Sequence, residues 1–537
     1  MRTDSDKAQL YDRQLRLWQK DGQAALEQAR VVVFGSSTLA SESLKNLVLP
    51  APVGVGEFVV VDDAQISDGD IRTNFFVRPA DLGLSRAQSI VDNLCEMNPD
   101  VHGSAIAKAP TEFVELIQKS GSESELLDSA SLVVACAQPE AVVRALASRC
   151  WSANIPIIAV TNAGFIAEIR TAVYEHSIVE SHASGRPDLR VMAPFTALRD
   201  YADSINLDAL DSTDLAHVPL VVLLIKAIDK WAAANNTKAS GLSLSQTKEI
   251  AALLRQMAPT PGEENFEEAA SATNTSCTDY ELPGEVKLIL DDAAAKTVNA
   301  QTSNFWLLVN ALRRYLESEY SQGMLPHSGA IPDMKADTLS YVNLQRIYKQ
   351  KAEADKREFL CHLHDVLHDA DLPTDHVSSE QVDAFCRNAS KLRLVRTHPL
   401  DQDVREVPPM AEDLQGGGVL PHYALFRAAD MFAVKHKRHP GIVDAKPNMD
   451  IDELCKQDAQ ELLTMAKELL SSWQIEEEVA DELAAEFVRS GFMELHNVSA
   501  VAGGVVAQEA IKLITHQYVP HNGICIIDTA NSIMASC

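Results

Sequence analysis

Residues 29–63 read ARVVVFGSSTLASESLKNLVLPAPVGVGEFVVVDD. The run ARVVVFG (29–35) is short, apolar and β-branched and ends in glycine, the pattern of a strand buried on both faces of a parallel sheet. STLASESLKNLVLP predicts a helix over 37–50, and GEFVVVDD a second buried strand over 56–63 that ends in acids. Working outward, YDRQLRLWQKDGQAALEQA lies in a helix predicted over 7–30. A helix at 85–97 leads to a third strand, SLVVACA (131–137). After a helix near 139–152, IPIIAV (155–160) is a fourth strand. Alternation of strand and helix from 29 to 160 predicts an open parallel sheet with right-handed crossovers.

From about 181 helical patterns dominate, at 217–234, 243–257, 303–321, 341–370 and 379–392. The acidic, polar stretch 260–285 reads as a loop or connector. A second break, 397–418, holds paired prolines and three consecutive glycines. Beyond it come a helix at 422–436, an acidic helical stretch at 449–489, the apolar AVAGGVVAQEAIKLIT (500–515) and a strand at 523–529.

With 47 Lys and Arg against 76 Asp and Glu, the formal net charge is −29. A field of that sign disfavours a phosphate backbone or an anionic lipid surface as main partner, so neither nucleic acid nor membrane is expected. Nine cysteines without a CxxC pair fit a reducing compartment. No targeting segment is evident at the N-terminus, and 219–228, the most apolar stretch, is too short to span a bilayer. These features predict a cytoplasmic protein, with the nucleus also open to it.

The turn after the first strand is where such a fold holds phosphates. Glycines there let the backbone turn and approach a pyrophosphate, whose charge rests on the helix N-terminus. In G-S-S-T-L-A, Gly35 keeps the first glycine of G-x-G-x-x-G, while Ser37 and Ala40 replace the other two. A dinucleotide site is weakly indicated; a turn that binds nothing is the better reading.

YDRQLRLW (11–18), this degraded turn, NFF (74–76) and GGVVAQEAIKLIT (503–515) resemble the adenylation domains of ubiquitin-like-modifier activating enzymes, the ThiF/MoeB-like family. EHSIVESH (175–182), GEENFEEA (262–269), IPDMKAD with Tyr341 (331–341) and RHPG (438–441) narrow the resemblance to regulatory subunits of neddylation-activating heterodimers. It runs from about residue 11 to 530. The implied fold is α/β: a Rossmann-like sheet of an inactive adenylation domain (1–180 and 419–537), interrupted by a largely helical insertion (181–418). That insertion is similar to a catalytic-cysteine half-domain lacking its cysteine.

In active members the turn is G-x-G-G-x-G, and this chain departs from it at Ser37, Thr38 and Ala40. Thr73 stands where N-x-N-R-Q-F would supply an arginine, Arg86 is the nearest counterpart of a helix lysine, and ACAQPE (135–140) lacks the metal-binding aspartate. Acyl-adenylate chemistry needs cations around the triphosphate. The resemblance therefore implies no cofactor on this chain and no activity alone, with ATP and Mg²⁺ on a catalytic partner. It implies that Arg13 reaches the partner's ATP in trans, a role suited to a permanently charged fork of donors; a surface ion pair is the alternative. It also places Ile331, Pro332, Asp333, Met334, Asp337 and Tyr341 against the catalytic subunit, the alternative being an ordinary helix-entry turn. The expected partners are that subunit and the ubiquitin-like neddylation modifier.

Cys277, in the polar stretch, is a poor thioester candidate because no catalytic-cysteine motif surrounds it. Cys361, His364 and His368 share helical spacing, but Leu363, Val366 and Leu367 make an amphipathic helix the better reading than a zinc site. Two other functions stay open at this point: a self-sufficient adenylating or nucleotide-dependent enzyme, and a scaffold with no role in modifier activation.

Overall fold

The computed structural model describes residues 12–49, 54–117, 122–182, 185, 187–408, 410–442 and 450–536, without the side chains of 12–15 and 122. The chain divides into two compact units, one running to Ile178 and resuming at Leu394, the other Val179–Arg393.

The first unit is built on an eight-stranded sheet. Its strands are β1 (Arg30–Phe34), β2 (Glu57–Val61), β3 (His102–Ile106), β4 (Leu132–Cys136), β5 (Ile157–Ala163) and β6 (Ile166–Ala172), followed far along the chain by β9 (Ile524–Asp528) and β10 (Ile533–Ser536). The order is β10-β9-β6-β5-β4-β1-β2-β3. β1 to β5 pair in parallel, whereas β6, β9 and β10 join antiparallel, so the sheet is mixed. Side chains alternate across it. Val31 and Val33 face a core made with helices Thr38–Val48, Arg86–Met97 and His496–Thr515; Val32 and Phe34 face helices Pro110–Ile117 and Glu140–Ala153. Burying each such valine contributes about 1.5–3 kcal/mol.

Helices Leu420–His436 and Ile451–Ser472 share a further core with β6 and β9. Helix His496–Thr515 is long and apolar enough to cross a membrane, by length and composition alone. It is a core helix, with Val498, Ala502, Val506, Ala510 and Leu513 buried against the sheet.

The insertion closes at Arg393, not at 418. A two-stranded sheet pairs β7 (His176–Ile178) with β8 (Arg393–Val395), and Thr397 returns to Val173 through a Val173 N–H to Oγ1 bond of 2.8 Å. The proline- and glycine-rich break thus lies inside the first unit. The helix expected over 7–30 is observed as Asp12–Gln28, broken at Gln19 by φ 57°, where the Trp18 carbonyl accepts from Gln517 Nε2 at 2.9 Å.

The second unit is helical. The stretch 260–285, expected as a connector, instead forms helix Glu264–Ser276 and the start of helix Gly284–Asp291. Phe266, Ala269, Ala270 and Thr273 fall on one helical face and are buried, and the first three share a core with the buried residues of helix Leu220–Ala234. Tertiary packing here overrides a polar composition.

Candidate functional site

The site begins at the C-terminal end of β1, where a doubly wound sheet holds its ligands. Gly35 adopts φ +95°, and a Cβ there would stand 2.5 Å from the Cys136 carbonyl oxygen and 2.6 Å from Gln138 Nε2. Its lack of a side chain accommodates the end of β4. Ser36, fully buried, gives both its N–H (2.8 Å) and its Oγ–H (2.5 Å) to Asp62 Oδ2, at the end of β2.

Arg86 spans the same floor. Its guanidinium reaches Asp70 Oδ1 at 2.7 Å, Asp62 Oδ2 at 3.2 Å and Ser36 Oγ at 2.9 Å. Burial opposes its charge, but Asp70 and Asp62 outweigh burial and raise its pKa further. The Asp70 carboxyl is lowered against burial by the Ser67 hydroxyl and N–H and by Arg86. The acids that end β2 are therefore neutralised by the chain's own arginine.

The neighbouring wall is also closed. Thr38 Oγ1 donates to Thr73 Oγ1 at 3.2 Å, and Ser41 Oγ donates to Asn74 Oδ1 at 3.0 Å. Thr73 thus ties helix Asp68–Thr73 to the start of helix Thr38–Val48. Ser37 takes the N-cap backbone conformation but makes no capping bond with its side chain. The free N–H of the first turn is met from elsewhere: Leu39 N donates to Glu494 Oε2 at 2.8 Å. A carboxylate of this chain sits where a helix N-terminus would receive phosphate. Burial raises the Glu494 pKa, against the lowering by the Ser37 hydroxyl, the Leu39 N–H and Arg86. Ala40 is fully buried in the same helix.

After β4, where an active member would present its aspartate, the first carboxylate is Glu140. It is occupied by Arg170, at 3.1 and 2.6 Å, and by Arg427 at 3.1 Å. Burial alone would raise it; the two arginines hold it down to about 2. No group of three or more potential metal ligands occurs among the described residues.

Arg13 lies in helix Asp12–Gln28, and its side chain is outside the described residues. The 331–341 segment is gathered by its own unit. Ile331 and Met334 pack on the helical core, Asp337 caps helix Thr338–Asp369 by accepting from Ser340 N at 2.9 Å, and Tyr341 Oη donates to Asp333 Oδ1 at 3.2 Å and reaches the Pro332 carbonyl at 3.5 Å. Asp333 is exposed.

Cys277 is not in a polar loop: it ends helix Glu264–Ser276, fully buried, and burial pushes its thiol up to about 12, which disfavours the thiolate. Cys361, His364 and His368 lie on the exposed face of helix Thr338–Asp369, opposite the buried Leu363, Val366 and Leu367.

The sequence profile of the ThiF family matches residues 11–536. The chain belongs to the ThiF family. This ThiF-family chain is 32% identical to a NEDD8-activating enzyme E1 regulatory subunit of Danio rerio, covering 99% of this chain and 98% of that one. It is 33% identical to the Gallus gallus protein of that name, over 97% and 96% of the two chains. It is also 32% identical to the NEDD8-activating enzyme E1 regulatory subunit AXR1 of Arabidopsis thaliana, over 96% and 94%. A ThiF fold with a mixed, mostly parallel sheet and a regulatory role in neddylation activation agree with what its own residues indicate.

Proposed function

We propose that this chain is the non-catalytic half of a bipartite activating enzyme, paired with a catalytic subunit that holds ATP and Mg²⁺. On that partner the ubiquitin-like neddylation modifier is adenylated and then held as a thioester. The observation that carries this reading is the filled turn. Asp62 is taken by Ser36 and Arg86, the helix N-terminus by Glu494, and Glu140 by two arginines. A nucleotide would have to displace all three sets of contacts, in a site that offers it no uncommitted cation among the described residues just named.

Arg13 completes the partner's site in trans, and the segment containing Ile331, Pro332, Asp333, Met334, Asp337 and Tyr341 touches that partner. The test reconstitutes the pair from wild-type or Arg13→Ala chain. Pair formation is expected to be unchanged, with ATP–pyrophosphate exchange and modifier thioester both reduced. Exchange at the wild-type rate removes Arg13 from the reaction. ATP binding or exchange by the isolated chain overturns the non-catalytic reading.

A further inference from the structure

The break in helix Asp12–Gln28 is made at one contact with the far end of the chain. Gln19 adopts φ 57° and ψ −173°, outside the helical region, so residues 12–18 form an arm on an axis of their own. Against the break lies the end of helix His496–Thr515. His516 (φ 53°) and Tyr518 (φ 58°) are both left-handed and flank Gln517. Gln517 is 4% exposed, and its Nε2 donates to the Trp18 carbonyl at 2.9 Å. In an unbroken helix that carbonyl would serve the N–H four residues on. The Trp18 ring stands edge-on to Tyr518, with centroids 5.8 Å apart. Gly22 leaves the slot in which the amide lies: a Cβ there would stand 2.9 Å from Gln517 Nε2 and 3.1 Å from Trp18 Cβ.

A left-handed residue other than glycine is strained, and Gln19, His516 and Tyr518 persist around one hydrogen bond only where the surroundings hold them. His516 is held by its Nδ1, 2.9 Å from the Ser177 carbonyl, and the helix it ends is buried against the sheet. Among the described side chains of the arm, Trp18 packs on that core, whereas Arg16 and Leu17 are exposed, Leu17 at 47%. The strain therefore sits where the arm joins the body. Arg13 lies five residues before Trp18, about 7.5 Å along a helix axis. A turn of about 8° at the joint displaces it by about 1 Å, the scale on which misplaced groups cost about a hundredfold in rate.

We propose that Gln517 is a positioning residue for the partner's ATP site. With Gly22 and Trp18 it fixes the angle at which residues 12–18 leave the body, and so where Arg13 meets the nucleotide phosphates. This rests on the in-trans role of Arg13 given above; Gln517 acts through the arm and not on the nucleotide. Its amide is neutral and donates to a single carbonyl, so it sets a direction without adding charge beside the arginine. A kink that served the fold alone would matter equally with or without Arg13. A positioning contact matters to turnover only through Arg13.

The test is a double-mutant cycle in the reconstituted pair, with the full chain. Pair affinity and ATP–pyrophosphate exchange over a range of ATP concentrations are measured for the wild type, Arg13→Ala, Gln517→Ala and the double variant. Gln517→Ala is expected to leave pair affinity unchanged, to lower kcat of exchange at least about tenfold, and to do nothing further in the Arg13→Ala chain. Gln517→Met keeps the bulk without the donor and gives the same loss. Gly22→Ala favours helix but pushes on the same amide with Gln517 intact, and it also gives the loss. These two variants carry the test if Gln517→Ala does not fold. Wild-type exchange in all three, where Arg13→Ala lowers it, overturns the proposal and leaves the reading of Arg13 standing. An equal loss with and without Arg13, or a loss that tracks pair affinity, makes Gln517 structural and overturns it too. Wild-type exchange in Arg13→Ala overturns the reading of Arg13 first, and this proposal with it.

Discussion

Leu39 and Glu494, 455 positions apart in sequence, meet through a 2.8 Å bond from the Leu39 N–H to Glu494 Oε2. This contact joins the first turn of helix Thr38–Val48 to the segment that leads into helix His496–Thr515. Glu494→Ala leaves that N–H without its acceptor and is expected to cost about 1–2 kcal/mol in urea unfolding. Glu494→Gln keeps an acceptor oxygen and costs less. Because burial raises the Glu494 pKa, its ionisation weakens the fold as pH rises through that value, and the Gln variant removes this part of the pH dependence.

Arg86 holds Asp62 and Asp70 together. Arg86→Ala leaves two carboxylates facing each other over Ser36 and is expected to destabilise the chain by about 3 kcal/mol, read as a lowered denaturation midpoint. Arg86→Lys restores the charge but not the three-way fork, and recovers only part of the loss. Full stability in Arg86→Ala would mean that the floor of the turn does not depend on this arginine.

Arg427 is shared by three acids, Glu168, Glu140 and Asp430, and the last two respond to pH in opposite directions. Glu140 is held down to about 2, so its contribution is present above the ordinary carboxylate range and is lost as pH falls toward 2. Asp430, 3.1 Å from Arg427 Nη1, is pushed up to about 7, because burial and Glu140 outweigh Arg427. Its contribution is full below about 4 and lost as pH rises through 7. Asp430→Asn is therefore expected to flatten the decline in stability between about pH 4 and 7, by roughly 1–3 kcal/mol in unfolding free energy. An unchanged slope would show that Asp430 does not titrate in that window.

Adjacent glycines in helix His496–Thr515 should respond in opposite senses. A Cβ at Gly503 would stand 2.8 Å from Ser43 N and 2.9 Å from the Glu42 carbonyl carbon, so Gly503→Val is expected to cost about 1–3 kcal/mol by forcing two helices apart. Gly504 has nothing within 4 Å, and Gly504→Ala should stabilise the chain by about 0.5–1 kcal/mol. Thermal unfolding of the two variants decides both.

The parallel half of the sheet was legible because β1, β2 and β4 are buried on both faces and appear as unbroken apolar runs. β3, HGSAI, lies at the half-exposed edge and carries no such run. β6 hides Glu168 and Arg170 in a buried strand, where Arg427 and Glu140 neutralise them. At the site, the substitutions at Ser37 and Ala40 marked the altered turn. Arg86 was marked by the resemblance as the counterpart of a helix lysine, but its pairing with Asp62 and Asp70 was not legible, nor was Glu494, which arrives from the far end of the chain. Helix Glu264–Ser276 looked like a connector because its buried face consists of one aromatic and small residues among acids.

The position of β9 sets a schedule for biosynthesis. β6 leaves the ribosome roughly 350 residues before the strand that covers its free edge. At typical translation rates of about 5–20 residues per second, that edge waits some 20–70 s. Meanwhile Val179–Arg393, a compact unit of its own, is made in full. An unpaired edge beside apolar β5 is a template for wrong pairing. A nascent chain stopped before Ile524 is therefore the species that chaperones should hold most strongly, and completion of the last strand is the event that releases it.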